Sequence, residues 1–566
     1  MSRTTTPRHL ARRAALSVAL ATAGSLLVTA PAGAAPQPRA ADLPFTTYEV
    51  EDGSTDGSVL EPDRTYLTPA SEASGRRAVV LRETGQYAEV KLTAPANALN
   101  LRYSLPDSAD GKGQDATLSV YADGEELTDL DLTSKYSWVY GEYPYTNQPS
   151  DGSAHRFFDE SRTRLDKTLP AGTVLRFQKD ADDSAASYTL DLVEAEEVAA
   201  PGSMPEGYVS ATDLGVTPDD GQDVTSALNS AVQQAKEQGK GLWLPAGTYV
   251  LSDRVDLPGV ALRGAGVWDT VLRGTGLKGG LYATGGTTEI RDLMIDGDNT
   301  VRDDAGGQAA VEGEFADGSV IDNVWIRHTK VGLWANGPTT GLNVSHLRIR
   351  DTYADGVNLH GDVRDTVVSD SSVRGTGDDG LAMWSEGAAV TDSVFRDNSV
   401  QLPLLANGAA VYGGSGNRVE NNTISDTVTG SAGIAVSSRF GDPFTGTTTV
   451  SGNTLDRTGG YEPNWQSELG ALWVYAANSD ITTPVVLSDN TVRDSTYSGL
   501  LVSYQKTVGD LSVKDTTFDG AGTHGIEIDA AGSGTFSGVN VSGTGSDALS
   551  LSGGFTVERG SGNSGW

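Results

Sequence analysis

Three aspartates stand out by their spacing. Asp355 lies two residues before Val357, Asp379 lies two residues before Leu381, and Asp378 sits beside Asp379. Each group leads into a glycine and a short alternating run, Gly356-Val357-Asn358-Leu359 and Gly380-Leu381-Ala382-Met383. If the two runs are equivalent strands on successive coils, Asp355 and Asp379 stack about 4.8 Å apart and three carboxylates share one rim. Like charges so close cannot all ionise freely, so at least one pKa must rise. A raised carboxyl beside ionised ones is the equipment of acid/base cleavage of a glycosidic bond. An Asp-Asp pair alone says little. The chain holds 75 acidic residues, and further pairs stand at 182–183, 219–220 and 303–304. Aspartate before a strand is also an ordinary turn former. The register with Asp355 is what singles this pair out.

The neighbours can be placed by the same alternation. With Val357 and Leu359 inward, Asn358 and His360 point outward. Trp384, Tyr412 and Tyr475 point outward at equivalent positions, and Trp473 does so two residues before Tyr475. Aromatic faces beside acids suit sugar rings, whose C–H faces pack on them. Asn358, His360, Trp384, Asn407, Tyr412, Trp473 and Tyr475 are therefore the candidate substrate contacts, against the plainer reading of scattered exposed aromatics.

The elements that must hold this site are legible as a repeat. Strands of the form Ile321-Asp322-Asn323-Val324 recur as Val390-Thr391-Asp392-Ser393, Val419-Glu420-Asn421-Asn422 and Val450-Ser451-Gly452-Asn453. Gly332, Gly356 and Gly380 recur at one constant interval in the twenties of residues, the signature of a parallel β-helix. A helix is predicted over 223–238, where it would cover the open first coil. Before it, short alternating strands between 45 and 198 read as a β-sandwich, with a Pro/Gly linker at 199–205. The fold class is thus all-β, a right-handed parallel β-helix over 208–566 preceded by a jelly-roll sandwich over 45–198. Residues 1–34 carry four arginines, an apolar run and Ala32-Gly33-Ala34, which reads as a signal peptide. A secreted, extracellular monomer is expected. The net charge of −34 disfavours nucleic acid, membrane and acidic polymers, and tolerates a neutral polysaccharide. There is no cysteine, so a large core must do what disulfides do in many exported proteins.

The stretches Arg350-Asp351-Thr352-Tyr353-Ala354-Asp355-Gly356-Val357-Asn358-Leu359 and Gly377-Asp378-Asp379-Gly380-Leu381-Ala382-Met383-Trp384-Ser385 resemble the active-site region of glycoside hydrolase family 87. That resemblance implies an endo-α-1,3-glucanase or mycodextranase with Asp355, Asp378 and Asp379 as its functional aspartates and no catalytic cofactor. By analogy with polygalacturonases, it makes Asp378 the general acid of an inverting reaction, with Asp355 and Asp379 holding the water. The N-terminal domain resembles carbohydrate-binding modules of families 6 and 35 through Tyr48-Glu49-Val50-Glu51. This implies a structural calcium on Glu49, Glu51 and Asp191. An insertion over 136–159, carrying Trp138, Tyr140, Tyr143 and Tyr145, departs from such a module and is placed to reach the groove. Polygalacturonase-like hydrolysis, pectate lyase chemistry and a non-catalytic glycan-binding helix stay open. The absence of His between 361 and 523, and of Lys between 331 and 505, weighs against a uronate substrate.

Overall fold

The computed structural model describes residues 41–142 and 145–566. The leader expected at 1–34, and Tyr143, lie outside them. From Thr46 to Glu196 two antiparallel sheets, of six and five strands, enclose a core that includes Leu99, Leu101, Val120, Phe177 and Leu190. Alternation drives this: in Tyr87–Lys91, Ala88 and Val90 are buried while Glu89 and Lys91 are not.

From Tyr208 onward the chain winds into a parallel β-solenoid of about 13 turns. Its strands form one 24-stranded and one 12-stranded sheet. The predicted helix runs over Thr225–Glu237. It buries Leu228, Ala231, Val232 and Ala235 against the first strands of the solenoid, Gly241–Leu244 and Val255–Leu257. Asp223 accepts from the Thr225 N–H at its start, and Gly239 takes φ 65° just beyond its end.

Register follows the glycine interval. Leu333, Val357, Leu381, Ala409, Ile434, Leu472, Leu500 and Ile526 stack in one inward column. Gly356 and Gly380 precede it because the coils close tightly there. A Cβ on either would lie 2.5 Å from the carbonyl oxygen of the glycine one coil on. On another turn Asn398, Asn422, Asn453 and Asn490 form a buried ladder, each amide donating to the next at 3.0 Å. The many aspartates have a local cause. Asp351, Asp370, Asp392, Asp397, Asp426, Asp489, Asp494 and Asp515 turn coil corners with φ of 44–57°, a conformation that aspartate and asparagine tolerate.

The sandwich is joined to the solenoid through buried charge. Glu160 and Glu194, on the strands Asp159–Leu169 and Tyr188–Glu196, face Arg350 and Arg374 of two successive coils. Arg374 donates to Glu160 at 2.7 Å and to Glu194 at 2.8 Å. Arg350 reaches the same two carboxylates at 3.3 and 3.1 Å. Arg348 pairs with Glu196, and His328 lies between Asp159 (2.7 Å) and Asp296 (3.2 Å). All of these side chains are buried, so each charge depends on its partners rather than on water.

Removing one member leaves uncompensated charge. Arg374→Ala should cost about 3–5 kcal/mol and lower the midpoint of thermal unfolding measured by calorimetry. Arg374→Lys should recover only part of it, because an ammonium cannot fork between two carboxylates. An unchanged midpoint for Arg374→Ala would show that the network is dispensable.

Candidate active site

The register brings the three aspartates together. The Gly356 N–H donates to the Asp379 carbonyl at 2.9 Å, which stacks Asp355 on Asp379 one coil apart. None of the three takes the left-handed conformation of the corner aspartates. One oxygen from each lies within 4.8 Å of the others, and among the described residues no other group of three acids or histidines converges so. Asp355 and Asp379 are buried, at 8% and 4% exposure. Asp378 stands at the rim with 31% of its side chain exposed.

Each carboxylate has its own support. Asn358 Nδ2 donates to Asp355 Oδ2 at 2.7 Å. Asp379 Oδ1 accepts from the backbone and side-chain nitrogens of Asn407 at 2.8 and 2.9 Å, and Oδ2 accepts from the Tyr412 hydroxyl at 2.8 Å. Asn407 is fixed in turn by the Ala432 N–H. Asp378 Oδ2 pairs with Arg302 Nη1 at 2.7 Å, and Arg302 Nε also holds Asp304 at 3.0 Å. Burial, followed by the charges of Asp378 and Asp379, pushes the Asp355 carboxyl well above the usual range. Burial and the charge of Asp378 push Asp379 up to about 7, against the opposing pull of Tyr412 and Asn407.

Three of the expected sugar contacts also turn to the acids. Asn358, Asn407 and Tyr412 are buried and hold carboxylates. Alternation gave their outward face correctly but not that the acids occupy the space beside it. His360 and Trp384 do form an aromatic ledge, with ring centroids 4.7 Å apart. Trp384 Nε1 donates to the Phe440 carbonyl. Further along, Tyr475 stacks on Trp473 at 5.1 Å and 19°. The sequence reading missed Trp334, Phe440, Trp465 and Arg302. Trp334 pairs with Asn358 one coil earlier, so the same count would have found it. Trp465 lies on a two-stranded excursion, Tyr461–Glu462 with Ser467–Glu468, and Arg439 covers its ring at 3.5 Å. Arg302 sits on an irregular segment with no periodic signal. The insertion over 136–159 and Lys135 just before it support that segment: Lys135 and Tyr136 bind Asp298, and Asn147 Nδ2 donates to the Thr300 carbonyl.

Residues 42–198 match the family described as α-1,3-glucanase catalytic domain D1, and residues 218–548 match catalytic domain D2. The chain belongs to this family. A crystal structure of the catalytic unit of a thermostable family 87 α-1,3-glucanase from Streptomyces thermodiastaticus is 37% identical, with a TM-score of 0.85 over 93% of this chain and 97% of that one. The catalytic domain of a family 87 α-1,3-glucanase in complex with nigerose is 28% identical, with a TM-score of 0.83 over 93% and 100%. Single aspartate-to-alanine variants of such a domain, with nigerose or tetrasaccharides, are equally similar. No curated protein matches the chain. This α-1,3-glucanase is thus a glycoside hydrolase, and its sandwich matches a domain of the catalytic unit. The resemblance to carbohydrate-binding modules gains nothing from these comparisons.

The expected calcium set of the glucanase does not close around three acids. Asp191 is taken by Arg102 on Oδ2 and by the Ser74 N–H on Oδ1. Glu49 and Glu51 each keep one buried oxygen without a partner. Burial first and neighbouring acids second push their carboxyls up to about 8 and 9.

The crowding at Asp379 carries a stability cost with a definite sign. Its folded pKa, about 7, lies above that of the unfolded chain. Its neutral form favours folding, and that contribution is lost as pH rises through about 7. Asp379→Asn can keep the bonds to Asn407 and Tyr412 without a charge. It should unfold at a higher temperature than the wild type at pH 8, with the difference shrinking toward pH 4. A variant that is less stable at pH 8 would refute the strain.

Proposed function

We propose that this glucanase hydrolyses internal α-1,3-glucosidic bonds of a neutral glucan, with inversion at the anomeric carbon. The observation that carries the reading is the one-coil stacking of Asp355 on buried Asp379, with Asp378 at the exposed rim. Asp378 is the carboxyl that a bridging oxygen can reach, and it acts as general acid. Asp355 and Asp379 hold the attacking water and remove its proton. Neither is exposed enough to attack a sugar carbon directly, and both Asp379 oxygens are already hydrogen-bonded. Two-carboxylate enzymes with groups near 5 Å retain configuration. Here a third carboxylate lets a pair hold the water while the remaining one serves as acid. A desolvated base with a pKa near the working pH is also a stronger base. The aspartate-to-alanine variants of the related domain fall on three residues with the same spacing as Asp355, Asp378 and Asp379, which supports the same assignment.

Arg302 holds Asp378 at the rim through Nη1 and Asp304 through Nε; the acid must carry its proton to act, so the Asp378 pair opens when substrate docks. A structural calcium, where one is bound, would sit on Glu49 and Glu51, whose unpartnered oxygens suit a hard cation. The enzyme acts outside the cell, which the leader expected at 1–34 supports, and as a monomer. Cleavage of alternating α-1,3/α-1,4 glucan is the second specificity to assay.

Asp378→Asn and Asp355→Asn should each lose about 10²–10⁴-fold in kcat while folding and glucan binding persist. A substrate with a good leaving group should partly rescue Asp378→Asn alone. Proton NMR of early product should show the β-anomer. An initial α-anomer would sink inversion, and full activity in both variants would sink the site.

Tyr412→Phe removes a bond that favours the charged form of Asp379, so its pKa rises further. The acid limb of kcat/KM against pH should move to higher pH than in the wild type. A limb that stays in place would remove Asp379 from the role of base.

A further inference from the structure

A second site opens beside the catalytic rim, where the sandwich overhangs the solenoid. It is a cavity of about 700 Å3, within the range of small-molecule sites. One wall is the sandwich segment from Pro62 to Tyr66. The other is the same coil turn that carries Asp378, two to four coils further along, at Thr427–Thr429, Tyr461 and Thr496–Tyr497. Those coils lie about 10–19 Å from Asp378 along the axis. Tyr66 connects the two places. It packs on Leu402, Leu404 and Val428 and hydrogen-bonds Tyr145, which feels the charges of Asp378 and Arg302.

The lining selects a class of ligand. Tyr461, 39% exposed, and partly exposed Tyr497 offer aromatic surface. Thr427 and Thr496 carry buried hydroxyls without partners. Three arginines also line the cavity, each with bonds of its own, although Arg76 Nε has none. Arg64 spans to the carbonyls of Asp494 and Ser495, Arg76 binds the Thr427 carbonyl, and Arg457 binds Asp426 and Asp456. Asp63 at the edge and the net charge of −34 work against an anion. Aromatic rings beside hydroxyls and engaged cations suit an uncharged, polyhydroxylated chain with apolar faces.

We propose that this cavity binds a distal stretch of the same α-glucan that is cut at Asp378, so that the overhanging sandwich grips the polymer several units from the scissile bond. The inference rests on the glucanase reading above and adds a length requirement to it. Short oligosaccharides reach only the catalytic rim, whereas long ones reach both places.

The test uses the full chain carrying Tyr461→Ala and Tyr497→Ala, with α-1,3-linked gluco-oligosaccharides from the trisaccharide to the decasaccharide. In the wild type, KM should fall with length and then level off. In the double variant, KM for the longest members should rise roughly 10-fold, the size of losing one aromatic anchor. Its kcat, its turnover of the trisaccharide and its unfolding temperature should stay as in the wild type. Tyr461→Phe with Tyr497→Phe keeps the stacking surface and should keep the length dependence. Equal losses at every length would reduce the two tyrosines to structural parts, and no loss at any length would empty the cavity of this role. Either result leaves the glucanase reading intact if the wild type cleaves the series. A wild type that cleaves no member would overturn both.

Discussion

Parallel stacking of one coil on the next is the constraint from which the rest of this molecule follows. Each coil donates its backbone hydrogen bonds to its neighbours, so a residue type repeated at the coil interval becomes a column about 4.8 Å apart. For leucine and valine the column is a core. For asparagine it is a ladder of amides. For Asp355 and Asp379 it is enforced crowding of like charge, which water would never permit at such burial. The rest of the local structure offsets that crowding. Asn358, Asn407 and Tyr412 donate to the buried oxygens, and Arg302 brings a positive charge to the rim. The site is costly to fold and reactive for the same reason.

The sandwich is part of this arrangement rather than an appendage. Its Glu160 and Glu194 satisfy arginines that would otherwise be buried alone on the solenoid surface, and those arginines satisfy the glutamates in turn. Buried pairs of this kind add little net stability over an apolar contact, but they fix orientation, because no sliding of the interface keeps every charge partnered. Fixed orientation matters here. The insertion over 136–159 can steady the Arg302 segment only if the sandwich is held in one place, and the Pro62–Tyr66 segment can overhang the rim only on the same condition.

The acidic composition has two origins that look alike in a list of residues. Many aspartates of the repeat turn corners with positive φ, where a short polar side chain is tolerated. Asp355, Asp378 and Asp379 do not, and they lie instead at the mouth of an outward-facing strand. Corner aspartates are spread along the coils, whereas these three converge. Aspartate count is therefore a poor guide to the site, and coil register is a good one.

Strand alternation and the even glycine interval from Gly332 to Gly380 determined the solenoid and the meeting of the three aspartates, because in a parallel coil register is a local property repeated. The same logic placed His360 and Trp384 on one ledge. Alternation gives only the face on which a side chain lies, so it could not show that Asn358, Asn407 and Tyr412 donate to the carboxylates. Nor could it find Arg302, Trp465 or the pairing of Glu160 with Arg374. Those contacts join segments far apart in sequence, on irregular insertions or in different domains, where no period carries information. Asp191 shows the limit most plainly: its position suited a metal ligand, and the tertiary structure gave it to Arg102 because a buried carboxylate takes the cation that reaches it.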